Sequence, residues 1–153
     1  MKHLTTISVL LVTLVAFNCK GKKTNKQNPA NNEYYITAND QMRYNIKEFT
    51  VTSGKKVKIT LTHIGKMAKN VMGHNFVLLK QGTDIDKFAA EAVKAKDNDF
   101  VPADSKDFIA KTKLLGGGES DMITFDPPEP GTYDYLCTFP GHNGLMRGKL
   151  IVK

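Results

Sequence analysis

Three side chains with metal-binding groups fall within ten residues near the C-terminus, and their spacing constrains the fold more than any other feature of this chain. Cys137, His142 and Met146 are separated by four and three residues, and Pro140 and Gly141 between them favour a turn. Cys137 ends a predicted strand, so the following loop can bring all three side chains back to one point. His74, far upstream, offers a fourth donor that only the tertiary fold could bring there.

Short apolar runs predict that most of the chain is β-structure. In Val57–His63, residues 57, 59, 61 and 63 fall on one face of a strand. Turns rich in Gly, Pro and Asp separate this run from its neighbours. Further strands are predicted at 34–37, 74–79, 122–125, 133–137 and 149–152. Many short strands divided by turns favour an all-β sandwich.

One segment, residues 83–96, follows helical periodicity. Its apolar residues lie on one helix face, at positions 85, 88, 89, 92 and 93. Thr83 followed by Asp86 resembles a capping box at the N-terminus. The sequence therefore predicts one α-helix, inserted into the sandwich and packed against it.

The N-terminal residues 1–18 are typical of an export signal. Lys2 precedes an apolar run of residues 4–17, which is short for a membrane span. Cys19 follows directly and predicts a lipoprotein signal with a lipid on this cysteine, the alternative being plain secretion with an incidental cysteine. Residues 19–33 are polar and predict a flexible tether before a folded domain at 34–153. We therefore expect a periplasmic or cell-envelope protein anchored to a membrane.

The basic charge of the chain does not predict nucleic-acid binding. The sequence has 22 Lys and Arg against 15 Asp and Glu, a formal charge of +7. The only dense group of lysines lies at positions 20–26, outside the predicted domain, and no nucleic-acid-binding motif accompanies it. The chain's two cysteines, Cys19 and Cys137, each have a separate explanation, so we expect no disulfide.

The donor set itself indicates which metal would bind. Two histidines, one cysteine and a weak axial methionine form the ligand set of electron-transfer copper. Sulfur ligands favour Cu(I) and imidazole suits both oxidation states, so little rearrangement accompanies reduction. Zinc also binds cysteine and histidine, but a structural zinc site rarely uses methionine. The prediction is one copper ion, held by His74, Cys137, His142 and Met146, that cycles between Cu(II) and Cu(I).

The same residues resemble the azurins, a family of bacterial cupredoxins. The resemblance extends over residues 34–153 and departs from the family mainly at the N-terminal strands, where the usual disulfide is missing, and at Phe76, where azurins often carry tryptophan. The matching segments are 39–42, 61–63 with Gly65, 69–75, 112–114, 124–126 and 137–150. The resemblance implies a Greek-key β-sandwich with copper near one end, and single-electron transfer between redox proteins of the cell envelope.

Individual roles follow from this resemblance. The carbonyl of Gly73 would face the copper, Asn75 would form hydrogen bonds around the thiolate, and Phe139 would belong to the same surrounding layer. The ring edge of His142 would be the electron port. Redox partners would dock transiently on an apolar patch around it, comprising Met42, Met67, Val71, Met72, Phe139, Pro140, Gly141, Gly144 and Leu145.

The remaining histidines bear on the alternatives to electron transfer. His63 is in phase with the apolar face of its strand, which predicts a core residue and not a ligand. Copper delivery would need an open, exchangeable site, whereas four protein ligands are available here. A multicopper oxidase or a nitrite-reducing system would need further copper sites, and His3 and His63 cannot build one. The chain is therefore not expected to be an enzyme.

Overall fold

Two β-sheets face each other in the computed structural model, which describes residues 27–153. The export signal, Cys19 and the basic stretch at 20–26 lie outside the described residues. One sheet has the strand order β2-β1-β4-β7 and the other β3-β9-β8-β5-β6. The strands are β1 (Glu33–Asn39), β2 (Arg43–Tyr44), β3 (Glu48–Val51), β4 (Val57–His63), β5 (Val77–Leu79), β6 (Phe108–Lys111), β7 (Ser120–Phe125), β8 (Gly131–Leu136) and β9 (Arg147–Val152).

The pairing of the strands confirms the predicted sandwich. β1 runs parallel to β4 and β3 parallel to β9, while the other neighbours are antiparallel. Strands that are neighbours in a sheet are often distant in sequence, as in Greek-key connections. The alternation in β4 is confirmed, because Val57, Ile59, Leu61 and His63 are all fully buried between the sheets.

The strand bounds differ from the predictions at the places that matter for the site. β5 begins at Val77 and not at His74, which instead forms an isolated bridge with Leu115. β8 ends at Leu136, so Cys137 is the first residue after the strand. Strands β2, β3 and β6 are not among the predicted ones. Part of the predicted tether is also ordered, since Pro29–Asn31 forms a 3₁₀ turn and β1 starts at Glu33.

The inserted helix is shorter than predicted. It spans Ile85–Ala92, here called α2, and buries Phe88, Ala89 and Ala92. The predicted capping box is wrong, because Asp84 is the N-cap: its carboxylate accepts the backbone N–H groups of Asp86 and Lys87 at 3.1 and 3.0 Å. A short helix, α1 (Lys69–Met72), precedes Gly73. No helix among residues 27–153 is both long and apolar enough to cross a membrane.

Candidate metal centre

The C-terminal loop folds back on itself and brings its donors together. The N–H of Cys137 donates to the carbonyl of Met146 at 2.9 Å, which closes the loop at its base. Inside the loop, the carbonyl of Phe139 accepts the N–H of His142 at 3.0 Å, and the carbonyl of His142 accepts the N–H of Met146 at 2.9 Å. These three bonds fix the loop. They bring His142 and Met146 back towards Cys137, as the sequence predicted.

His74 reaches the same point from the other side. Paired N–H and carbonyl groups link His74 to Leu115 at 3.0 and 2.8 Å and set its backbone. The Sγ of Cys137 lies 3.9 Å from Nδ1 of His74 and 3.7 Å from Nδ1 of His142. All three donor atoms lie within 4.8 Å of one another, and all three residues are buried.

These distances fit a metal ion. Bonds of roughly 2.0 Å to nitrogen and 2.3 Å to sulfur, the lengths that zinc makes, place the two donors about 3.7 Å apart in trigonal geometry. The observed sulfur–nitrogen distances of 3.7 and 3.9 Å agree with that value. Met146 is fully buried in the same loop. The donor set therefore accommodates one ion bound by two imidazoles and a thiolate.

Both ligand histidines are neutral, and His74 also faces the sulfur with a free lone pair. Nε2 of His74 lies 2.9 Å from the carbonyl of Asn39, which can only accept, so the ring proton is on Nε2 and Nδ1 is free. Burial lowers the pKa of His74 to about 4. Burial also lowers the pKa of His142. Neither ring has to lose a proton at neutral pH before it can bind a metal.

Cys137 differs, because without a metal its sulfur carries a proton. Burial raises the pKa of this thiol to about 11, although the N–H groups of Asn75 and Phe139 and the hydroxyl of Tyr44 act in the opposite direction. A metal ion would supply the missing positive charge and displace the proton.

Comparison with known proteins agrees with this donor set. Residues 30–153 match the family described as copper binding proteins, plastocyanin/azurin family. The chain belongs to this family. It is therefore a type 1 copper protein that carries single electrons, and the resemblance to azurins drawn from the sequence is confirmed.

Two relatives and one solved structure show the extent of the similarity. Azurin-1 of Alcaligenes xylosoxydans xylosoxydans is 46% identical over 120 residues, which cover 75% of this chain and 92% of that protein. Outer membrane protein H.8 of Neisseria gonorrhoeae is 42% identical over 118 residues, 75% of this chain and 64% of that protein. The structure of reduced auracyanin from Roseiflexus castenholzii aligns with a TM-score of 0.72 at 39% identity, covering 80% of this chain and 97% of that one.

Gly73 occupies a position in this copper protein where a side chain does not fit. Its carbonyl oxygen lies 3.8 Å from the Sγ of Cys137. A Cβ at Gly73 would lie 2.5 Å from the carbonyl oxygen of Lys69 and 2.9 Å from the ring of Phe139. The absence of a side chain thus lets α1 and the C-terminal loop close around the cysteine.

Asn75 binds the residue next to the cysteine. Its side-chain oxygen accepts the N–H of Thr138 at 2.9 Å, and its amide group donates to the hydroxyl of Thr138 at 2.7 Å and to the carbonyl of Asp99 at 2.8 Å. Its backbone carbonyl accepts the hydroxyl of Tyr44. Asn75 therefore holds the start of the C-terminal loop and supports Cys137 through its neighbour.

His63 is buried, as predicted, but only one of its ring nitrogens has a partner. Its Nε2 lies 3.2 Å from the carboxylate of Asp40, while its Nδ1 has no hydrogen-bond partner among the described residues. The His63 and His74 rings are in edge contact, 4.4 Å between centroids. Asp40 also accepts the N–H groups of Lys66 and Met67 at 2.9 and 3.3 Å. Sequence reasoning missed Asp40 and the Asn39 carbonyl, since neither carries a distinctive motif.

The nine residues of the predicted docking patch are all at least partly accessible; Val71 and Met72 lie in the short helix α1, and the other seven lie in loops or turns. Leu145, Val71 and Met67 are 57%, 54% and 38% exposed. Gly141 and Gly144 are exposed too, whereas Met42, Met72, Phe139 and Pro140 are half-buried. The residue His142 is 3% exposed, and its ring contacts that of Phe139 with 4.7 Å between centroids. The ring of Phe139 also contacts Phe100 at 5.2 Å.

Proposed function

We propose that the chain holds one copper ion through Nδ1 of His74, Sγ of Cys137 and Nδ1 of His142. The observation that carries this assignment is the convergence of these three donor atoms within 4.8 Å in a buried pocket. Met146 would hold the ion more weakly than these three residues, and the Gly73 carbonyl would lie close to it. The Gly73 oxygen supports that placement because it lies 3.8 Å from the cysteine sulfur.

His142 would carry electrons between the bound copper and redox proteins that dock at the apolar patch. Phe139 lies against the His142 ring, and exposed Leu145 follows three residues later in the same loop. An apolar surface permits brief docking, because few charged groups lose water when the two proteins meet. Asn75 and Phe139 support the ligands, and such surrounding contacts tune the reduction potential.

The chain works as a carrier and not as an enzyme. His74, Cys137 and His142 form the one cluster of three or more His, Cys, Asp or Glu side chains with metal-binding geometry within residues 27–153. Reductive titration of the copper-loaded protein tests this role. We expect one electron per copper, reversibly, and no turnover with oxygen or nitrite. Catalytic consumption of either oxidant would contradict the carrier role.

The carrier acts in the cell envelope and is attached to a membrane through a lipid on Cys19. The sequence of residues 1–19 supports this location, and so does the 42% identity to a protein named outer membrane protein H.8. Detergent phase partitioning combined with mass spectrometry tests the anchor. The wild type should enter the detergent phase with a mass increase on Cys19, and Cys19→Ala should remain in the aqueous phase. Aqueous partitioning of the wild type would contradict lipidation.

A further inference from the structure

A small recess beside the C-terminal loop is lined by three cationic side chains. Arg43, Lys47 and Arg147 line it together with Tyr44 and Leu145, and its volume is about 40 Å³. Such a space holds one small polar group and is far too small for a whole organic ligand. We call it the cationic recess.

The charge of this recess is a local feature and does not reflect a generally basic surface. Residues 27–153 contain 17 Lys and Arg against 15 Asp and Glu, which is close to neutral. The whole chain has only two arginines, Arg43 and Arg147, and both line the recess. The planar guanidinium group matches a carboxylate through two parallel hydrogen bonds, which lysine cannot make.

The cations of the recess are not neutralised by the protein itself. Neither Arg43 nor Lys47 forms an ion pair within the part of the chain that the structure describes. Arg147 faces Asp86 at 3.6 Å, but the Asp86 side chain is 80% exposed, and pairs of this kind contribute little. The recess therefore keeps positive charge available for an anion from outside.

The recess also has a fixed place next to the electron port. Nε of Arg147 donates to the carbonyl of Asn143 at 2.7 Å, which ties the guanidinium to the C-terminal loop. Leu145, exposed and lining the recess, donates its N–H to the carbonyl of His142 at 3.0 Å. A protein seated over His142 would thus place the edge of its contact surface over Arg43 and Arg147.

We propose that the cationic recess receives a carboxylate of the redox partner. The partner is accordingly a protein whose docking face carries an acidic side chain at the border of an apolar area. This inference rests on the proposed docking at His142. The recess sets the orientation of the partner and raises its rate of association, which is the usual effect of charge complementarity at the border of an interface.

Electron exchange with a matched pair of probe proteins tests the proposal. The probes are a basic c-type cytochrome and the same cytochrome with its lysines succinylated, which makes it acidic. The variants are Arg43→Glu/Lys47→Glu and a control with the same charge change at the far end, Lys80→Glu/Lys106→Glu. Leu145→Ala, which changes no charge, tests the apolar contact of the docking patch. Each variant is first checked for an unaltered copper spectrum, and neutral Arg43→Gln/Lys47→Gln replaces the recess variant if that one does not fold.

The expected result is specific to the recess and to the acidic probe. At low ionic strength Arg43→Glu/Lys47→Glu should exchange electrons with the acidic cytochrome about tenfold more slowly than the far-end control does. The difference should disappear at high salt and reverse in sign with the basic cytochrome. Leu145→Ala should slow exchange with both probes at every salt concentration.

Other outcomes would overturn the proposal. The two double variants could lose the same fraction of their electron-exchange rate while Leu145→Ala is still slow. Only net charge would then matter, and the proposed docking patch would still hold. Unchanged rates in Leu145→Ala would contradict the docking patch itself. The variant Arg43→Glu/Lys47→Glu could also exchange electrons with the cytochromes at the same rates as the far-end control but no longer bind phosphatidylglycerol vesicles. The recess would then bind lipid phosphate, and the proposal would be wrong.

Discussion

The Nε2 of His74 donates its hydrogen to the backbone carbonyl of Asn39 across 2.9 Å. This one bond sets the tautomer of the ring, because the carbonyl oxygen has no proton to give. The opposite nitrogen, Nδ1, is then unprotonated and points towards Cys137, 3.9 Å away. A metal ligand is thus prepared before any metal arrives.

Copper binding should release about one proton per ion at pH 7. The pKa of Cys137 is raised to about 11 by burial, so its proton must leave, whereas His74, with a pKa lowered to about 4, is already neutral. An unbuffered Cu(II) titration followed with a pH indicator measures this number. Release of no proton would show a preformed thiolate, and release of two or more would show protonated imidazoles; either would contradict the account.

Substituting Asn75 by Ala should destabilise the protein by about 2–4 kcal/mol, since several buried hydrogen-bonding groups lose their partners. Thr138 loses the acceptor for its N–H, and the carbonyl of Asp99 loses a donor. Urea unfolding of the copper-free proteins measures the change. Asn70→Ala, an exposed position nearby, is the control and should change the free energy of unfolding by less than about 0.5 kcal/mol. Equal effects in both variants would contradict the role of Asn75.

Substituting Gly73 by Ala should disturb the site by overpacking, at a cost of about 1–3 kcal/mol. The new methyl group would press against the Lys69 carbonyl and the Phe139 ring. Gly144→Ala is the matched control, because a Cβ at Gly144 meets no atom within 4 Å. Visible absorption and urea unfolding should both change in the first variant and remain near wild type in the second. A normal spectrum and stability in Gly73→Ala would show that the close contact is not needed.

The carboxylate of Asp40 should make stability depend on acid pH. Its pKa is lowered chiefly by the N–H of Lys66, with the N–H of Met67 and the His63 ring adding to this and partial burial opposing it. A lowered folded-state pKa means stabilisation that is complete above the ordinary value near 4 and is lost as pH falls through the folded pKa. The Tm difference between copper-free wild type and Asp40→Asn should thus be constant from pH 5 to 7 and shrink below pH 4.

The exposed Asp104 provides the control for that experiment, because it has no hydrogen-bond or ion-pair partner within residues 27–153. The Tm difference between wild type and Asp104→Asn should be small at every pH. We expect the Tm difference for Asp40→Asn to shrink as pH falls. A difference that grows instead would contradict the assignment.

The sequence could predict the features that depend on the identity of individual side chains. Strict alternation of apolar and polar residues identified β4, and the metal-binding side chains Cys137, His142 and Met146 predicted the metal loop. Of the three strands that were missed, β2 and β6 lack this contrast, whereas β3 alternates but is only four residues long. β2 has two residues, and all four residues of β6 are half-buried, so no periodic pattern marks either strand.

The rest of the site depends on backbone groups that no sequence pattern reveals. Every residue has a carbonyl, so the acceptor role of Asn39 is visible only when the fold places it beside His74. The apolar run that follows His74 does not reveal whether His74 belongs to the strand or forms an isolated bridge before it. At the helix, Thr83 and Asp84 are both good N-caps, and only the backbone path decides in favour of Asp84.

A Cu(II) titration of the metal-free protein, followed by visible absorption and electron paramagnetic resonance, tests the central claim most directly. The account predicts one copper per chain, an intense blue absorption and a narrow copper hyperfine splitting, all lost in Cys137→Ala. Pale copper with ordinary hyperfine splitting, or zinc binding that excludes copper, would contradict a type 1 site formed by His74, Cys137 and His142.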